Sequence, residues 1–190
     1  MPIKIGNNVF IAETASLIGD VTISDGVSIF DSAVIRGDQD SIFIGQDSNI
    51  QDNASIHSEI NSPAIIGRRV SIGHNAVVHG SIVHDNVIIG MGAIVLTGAE
   101  IESGTVIGAG AVVKEKFHSS PNSLLLGIPA REARTGEEYL NYAIAFRSFE
   151  SVSTDTNVDD DLKFFPVFLY IVSMNYINFF SDVFFSQVHV

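Results

Sequence analysis

An aliphatic residue returns every six positions through most of this chain. Ile5, Ile11, Leu17, Ile23, Ile29 and Ile35 keep the interval strictly. After "RGDQDS" the phase slips by three and resumes at Ile44, Ile50 and Ile56; after "SEINSPA" it resumes at Ile66, Ile72 and Val78. It shortens once to Val83, then runs through Ile89, Val95, Ile101, Ile107 and Val113, which makes eighteen positions. Helices repeat near 3.6 residues and flat strands at 2, so neither sustains a period of six. A chain that turns a corner every six residues does, with one aliphatic per side pointing inward. Three sides close a triangular coil, and coils stack about 4.8 Å apart as parallel strands. Eighteen sides predict six coils of an all-β solenoid. Glycine often follows the aliphatic (Gly6, Gly45, Gly67, Gly73, Gly90, Gly108), where a tight corner excludes bulk.

Repeats of this kind resemble the left-handed parallel β-helix family, and the left hand is taken from that resemblance, because the period alone does not give it. The prism is expected over residues 1–118, followed by a turn and an amphipathic α-helix within 119–150, with Tyr139, Tyr142, Ala143 and Phe146 on one stripe. Residues 151–162 read as an acidic linker. Residues 163–190 form an apolar tail of unknown role that holds seven of the thirteen Phe. Its uncharged stretch from 164 to 181 just reaches the lower limit for a membrane span, but Pro166, Asn175 and Asn178 weaken that reading.

Charge narrows the partners. Ten Lys and Arg against 22 Asp and Glu give a net charge of −12, a field that repels phosphate backbones, so no nucleic-acid partner is expected. There is no cysteine, so any metal must be held by His, Asp or Glu, and a reducing, cytoplasmic setting fits. The N-terminal residues show no signal-peptide pattern.

Three of the six histidines fall together in this frame. His57 follows inward Ile56, His79 follows inward Val78, and one full coil separates them, so they stack at neighbouring rungs. A spacing near 4.8 Å suits two imidazoles leaning onto one metal. His74 follows Ile72 by two and points around another corner, where a neighbouring copy would bring it into use. Three-fold packing then makes a homotrimer with three interfacial metals, in keeping with closed cyclic symmetry. Three histidines with an open position are the composition of a catalytic zinc site; the plainer alternative is imidazoles that merely line an interface. His84, His118 and His189 are expected as surface residues.

The segments "VIRGDQDSIFIGQDSNIQDNASIH", "IGHNAVVHG" and "IIGMGAIVLTGAEI" resemble the γ-class carbonic anhydrases and their relatives, which include ferripyochelin-binding-like proteins. The resemblance covers roughly residues 5 to 150. It implies that His57, His74 and His79 bind Zn²⁺, or Fe²⁺ or Co²⁺, and that Arg36 and Asp38 form a salt bridge at the subunit interface. It also implies that Asn49 and Gln51 lie near the metal, with Gln51 bonding hydroxide or product. The implied activity is a lyase reaction, reversible hydration of CO₂ to bicarbonate by metal-bound hydroxide. Two departures bear on proton transfer. Gln39 stands where the archetype has an acidic residue, and the loop after the first histidine is short. Glu59 is the only carboxylate left in that loop and the candidate replacement, with Asp40 second. The alternatives are a metal-dependent acyl-CoA thioesterase, a hexapeptide acyltransferase, or a non-catalytic assembly subunit.

Overall fold

The computed structural model describes residues 3–135, and the expected helix, acidic linker and apolar tail lie outside them. The described chain winds as a left-handed parallel β-helix of about seven turns. Its strands are mostly two or three residues long, and no helix occurs among the described residues. Each inward aliphatic pairs with the one a full turn later. On the first face the column runs Ile5, Ile23, Ile44, Ile66, Val83, Ile101. The second face stacks Ile11, Ile29, Ile50, Ile72, Ile89, Ile107 and Leu125. The third stacks Leu17, Ile35, Ile56, Val78, Val95 and Val113. From the second turn onward these side chains are fully buried, each contributing about 1.5–3 kcal/mol relative to exposure.

A second, smaller column accompanies each large one. The residue four after the inward aliphatic is also buried, as with Val27, Ala33, Ala54, Val70, Ala76, Val87, Ala93, Ala99 and Ala111. Large and small side chains therefore alternate around each turn and fill the triangular interior. The corners need a left-handed residue, and one such column comprises Asn8, Gly26, Asp47, Arg69, Asn86, Gly104 and Asn122, all at positive φ. Asn, Asp and Gly tolerate that conformation at least cost. The glycines that directly follow inward aliphatics have another reason. At Gly73 a Cβ would lie 2.8 Å from the Met91 amide nitrogen and 2.9 Å from the Ile89 carbonyl oxygen, so bulk is excluded by the neighbouring rung.

The solenoid continues past residue 118. Ser119 takes the inward position on the first face, and the strand Ser123–Leu126 pairs parallel with Val106–Ile107. Arg131–Thr135 then runs antiparallel along it, covering an edge that would otherwise be open. The expected six coils thus become about seven.

Two interruptions of the period place the site. The strands Ser16–Ile23 and Val34–Ile44 run on around the corner between the third and first faces, joining those faces into one sheet. The extra residues after Arg36 bulge outward there. One turn later, residues 58–63 leave the same corner as a short loop closed by a Glu59–Ser62 bridge. No helix among the described residues is long and apolar enough to cross a membrane.

Candidate metal centre

Arg36, His57 and His79 form one outward column on successive rungs, because each directly follows an inward aliphatic. The parallel ladder holds the two imidazoles with ring centroids 4.9 Å apart at 67°. Nδ1 of His57 lies 3.0 Å from Nε2 of His79. The remaining nitrogens are both occupied: His57 Nε2 lies 2.9 Å from Asp38 Oδ1, and His79 Nδ1 lies 2.9 Å from Thr97 Oγ1.

This donor set fits a divalent cation. A carboxylate only accepts, so Nε2 of His57 carries the proton and Nδ1 of the neutral ring is a bare lone pair. The Thr97 hydroxyl can turn either way. Donating to His79, it leaves an Nε2 proton to bridge the two rings; accepting from His79, it leaves two lone pairs facing each other. The second arrangement is repulsive alone and is satisfied by a dication between the rings. Neighbouring ligands of tetrahedral zinc, with bonds of about 2.0–2.1 Å, stand about 3.3 Å apart, close to the separation found. Asp38–His57 is also the carboxylate–imidazole pairing that orients metal ligands and raises their basicity.

Asp38 takes its second partner from its own chain: Arg36 donates a guanidinium N–H to Oδ2. The hydrogen bond with His57, then that with Arg36, holds the Asp38 carboxyl below the usual carboxylate range. The R-x-D pair therefore bridges within one protomer and directly supports a histidine.

His74 stands elsewhere. It caps the corner between the second and third faces, stacked one rung above Asp52, whose Oδ2 lies 3.0 Å from His74 Nδ1. That contact leaves Nε2 as its ligating atom. Among the described residues of one chain, His74 does not join His57 and His79 in a three-ligand group. Asn49 and Gln51 flank inward Ile50 on the second face. Gln51 is buried and donates Nε2 to Asn49 Oδ1 at 3.3 Å, and Asn49 donates Nδ2 to Ser71 Oγ at 2.8 Å. The Glu59 carboxylate accepts the amide of Ile60 at 3.2 Å, turned back on its own loop. Gln39 is exposed in the other excursion, and Asp40 is fixed through its backbone to Ser58.

The sequence reading missed two supporting residues. Asp52 shares with His74 the position two after an inward isoleucine, so the register is enough to pair them. Thr97 reaches His79 diagonally, and no column signals it. His84 and His118, expected as surface residues, both contact Glu100.

A triangular solenoid with imidazoles stacked at one corner defines the class as a hexapeptide-repeat protein. Residues 80–115 match the model of the family "Bacterial transferase hexapeptide (six repeats)". A probable carbonic anhydrase of Methanocaldococcus jannaschii is 51% identical over 130 residues, covering 68% of this chain and 82% of that protein. The mitochondrial gamma carbonic anhydrase 2 of Arabidopsis thaliana is 39% identical over 70% of this chain, which spans only 51% of that longer protein. A hexapeptide transferase family protein from Anaplasma phagocytophilum superposes with a TM-score of 0.73 at 34% identity, covering 77% of this chain and 87% of the other. The chain belongs to the γ-class carbonic anhydrase family.

Proposed function

We propose that this protein catalyses reversible hydration of CO₂ to bicarbonate as a homotrimer. In that assembly His57 and His79 of one copy and His74 of the next hold Zn²⁺, with Fe²⁺ and Co²⁺ as the other metals three imidazoles accept. The observation that carries the reading is the 3.0 Å approach of His57 Nδ1 to His79 Nε2 with both outer nitrogens already partnered. A cation held by these residues would lower the pKa of water to about 7 and so make a nucleophile for CO₂ available at neutral pH.

The chain's own residues do the rest. Asp38 and Thr97 fix the two rings, and Asp52 fixes His74 so that it faces an adjoining copy. Asn49 holds the Gln51 amide in place to hydrogen-bond the oxygens of the reacting carbon. Arg36, tied to Asp38, orients the subunit edge more than it stabilises it. Each turnover releases one proton, and Glu59 is the carboxylate placed in the short loop to pass it on, since the Gln39 amide does not ionise near neutral pH.

The test combines metal content, oligomer mass and stopped-flow CO₂ hydration on metal-loaded protein. About one metal per chain bound through the corner histidines and a trimeric mass are expected. His57→Ala and His74→Ala should each abolish hydration while leaving the solenoid folded, and mixing the two variants should restore a fraction of sites. A monomer, or a failure to complement despite subunit exchange, would overturn the shared centre.

A further inference from the structure

A second group of ligating side chains lies on the first face, outside the corner that carries His57 and His79. Glu100 and His118 occupy the same outward column on successive rungs, joined by a parallel bridge. His84 and Glu102 follow Val83 and Ile101, which pair with each other. The result is a staggered patch of two columns, with His84 one rung before Glu100 and Glu102 and His118 one rung after them. His84 Nε2 lies 2.9 Å from Glu100 Oε1, and His118 Nε2 lies 3.2 Å from Glu100 Oε2. Ligand atoms of His84, Glu100 and Glu102 all fall within 4.8 Å of one another.

We propose that His84, Glu100 and Glu102, with His118 beside them, form a second divalent-cation site of the zinc class, contained within one chain. His84 Nε2 and Glu100 Oε1, 2.9 Å apart, stand close to the roughly 3.3 Å between neighbouring ligands of tetrahedral zinc, and a modest inward turn of Glu102, within 4.8 Å of both, completes the set. Two carboxylates and two neutral imidazoles carry a charge of −2, which a dication neutralises. Without one, Glu100 and Glu102 stand as like charges in a chain already at −12. Mixed imidazole and carboxylate donors select Zn²⁺, Co²⁺ or Ni²⁺ over Ca²⁺ and Mg²⁺.

The backbone beneath is preorganised. The His84 amide donates to Ile101 O at 2.9 Å, the Glu102 amide to Ser119 Oγ at 2.8 Å, and the Ser119 amide to Glu100 O at 3.1 Å. A bound ion would therefore tie the fifth and sixth turns together where the regular aliphatic column of this face ends.

The test is zinc titration of metal-stripped full-length protein in a His57→Ala/His74→Ala background, which disables the shared corner site. About one Zn²⁺ per chain should still bind and raise the melting temperature. Adding Glu100→Gln should weaken that binding at least about tenfold, and adding His84→Ala with His118→Ala should remove it, with circular dichroism unchanged. Cobalt in place of zinc should give tetrahedral d–d absorption that Glu100→Gln diminishes. No zinc uptake in the background variant, or uptake indifferent to Glu100→Gln and His84→Ala, would overturn the second site and leave the corner site standing. One zinc in the wild type that survives loss of His57 and His74 but not of Glu100 would do the reverse.

Discussion

Asp38 divides its carboxylate between two partners: Oδ1 meets His57 Nε2 at 2.9 Å, and Oδ2 takes the Arg36 guanidinium. One residue thus links Arg36 to a proposed metal ligand, and it does so from an outward bulge that exists because the six-residue period breaks after Arg36. In Asp38→Asn the charge is lost and only one carbonyl oxygen remains to serve both partners. Metal affinity should fall about 10–100-fold while the thermal transition stays near that of the wild type. Chelator competition against the purified variant measures it, and an unchanged affinity would remove Asp38 from the site.

The fold was legible because the period of six is a packing requirement: each side must deliver one large aliphatic to the interior. The count stopped a turn early for an equally physical reason. On the seventh turn the inward residue of the first face is Ser119, so the aliphatic column ends before Leu125 restores it on the second face. With that turn invisible, His118 had no rung to occupy and its contact with Glu100 could not be anticipated. The pairing of His57 with His79 was within reach of register alone, since both follow an inward aliphatic one coil apart. Contacts that run diagonally between columns, such as His79 with Thr97, depend on side-chain length and rotamer and leave no periodic trace.

Two glycines near His74 should respond differently to the same substitutions. Gly73 has no room, its Cβ position lying against the backbone of the next turn, whereas Gly92 has nothing within 4 Å but sits at φ +66°. Gly73→Ala should destabilise by about 1–3 kcal/mol through overpacking, and Gly73→Asn at least as much. Gly92→Asn should be tolerated, because Asn53 and Asn75 occupy the equivalent left-handed corner on earlier turns. Urea unfolding of the four variants, including Gly92→Ala, separates steric from conformational demand. Equal losses for Gly73→Asn and Gly92→Asn would contradict it.

Acid should weaken one corner clamp selectively. Burial pushes the Asp85 carboxyl up, but the Arg68 amide at 2.8 Å and the Arg68 guanidinium at 2.9–3.0 Å outweigh it, and the net shift is downward. A depressed folded value means that the contribution is complete above the unfolded value, about 3.9, and is lost as pH falls through the folded one. The stability gap between wild type and Asp85→Asn should therefore be present at neutral pH and close below about pH 3.9. Melting curves at both pH values check this, and a gap that widens in acid would reverse the sign.

Gln39 offers a gain-of-function test of proton transfer. It is exposed in the same bulge as Asp38, and its amide neither takes up nor releases a proton near neutral pH. If proton export limits turnover, Gln39→Glu supplies a second ionisable group at the mouth of the corner, and kcat for CO₂ hydration should rise while kcat/KM, which reports the attack on CO₂, stays unchanged. Added buffer should narrow the difference, because small bases in solution carry the proton for the wild type. Glu59→Gln should act oppositely, lowering kcat and making the wild-type Gln39 background more dependent on buffer. A Gln39→Glu variant that alters kcat/KM instead would place residue 39 in contact with the reacting carbon rather than on the proton path.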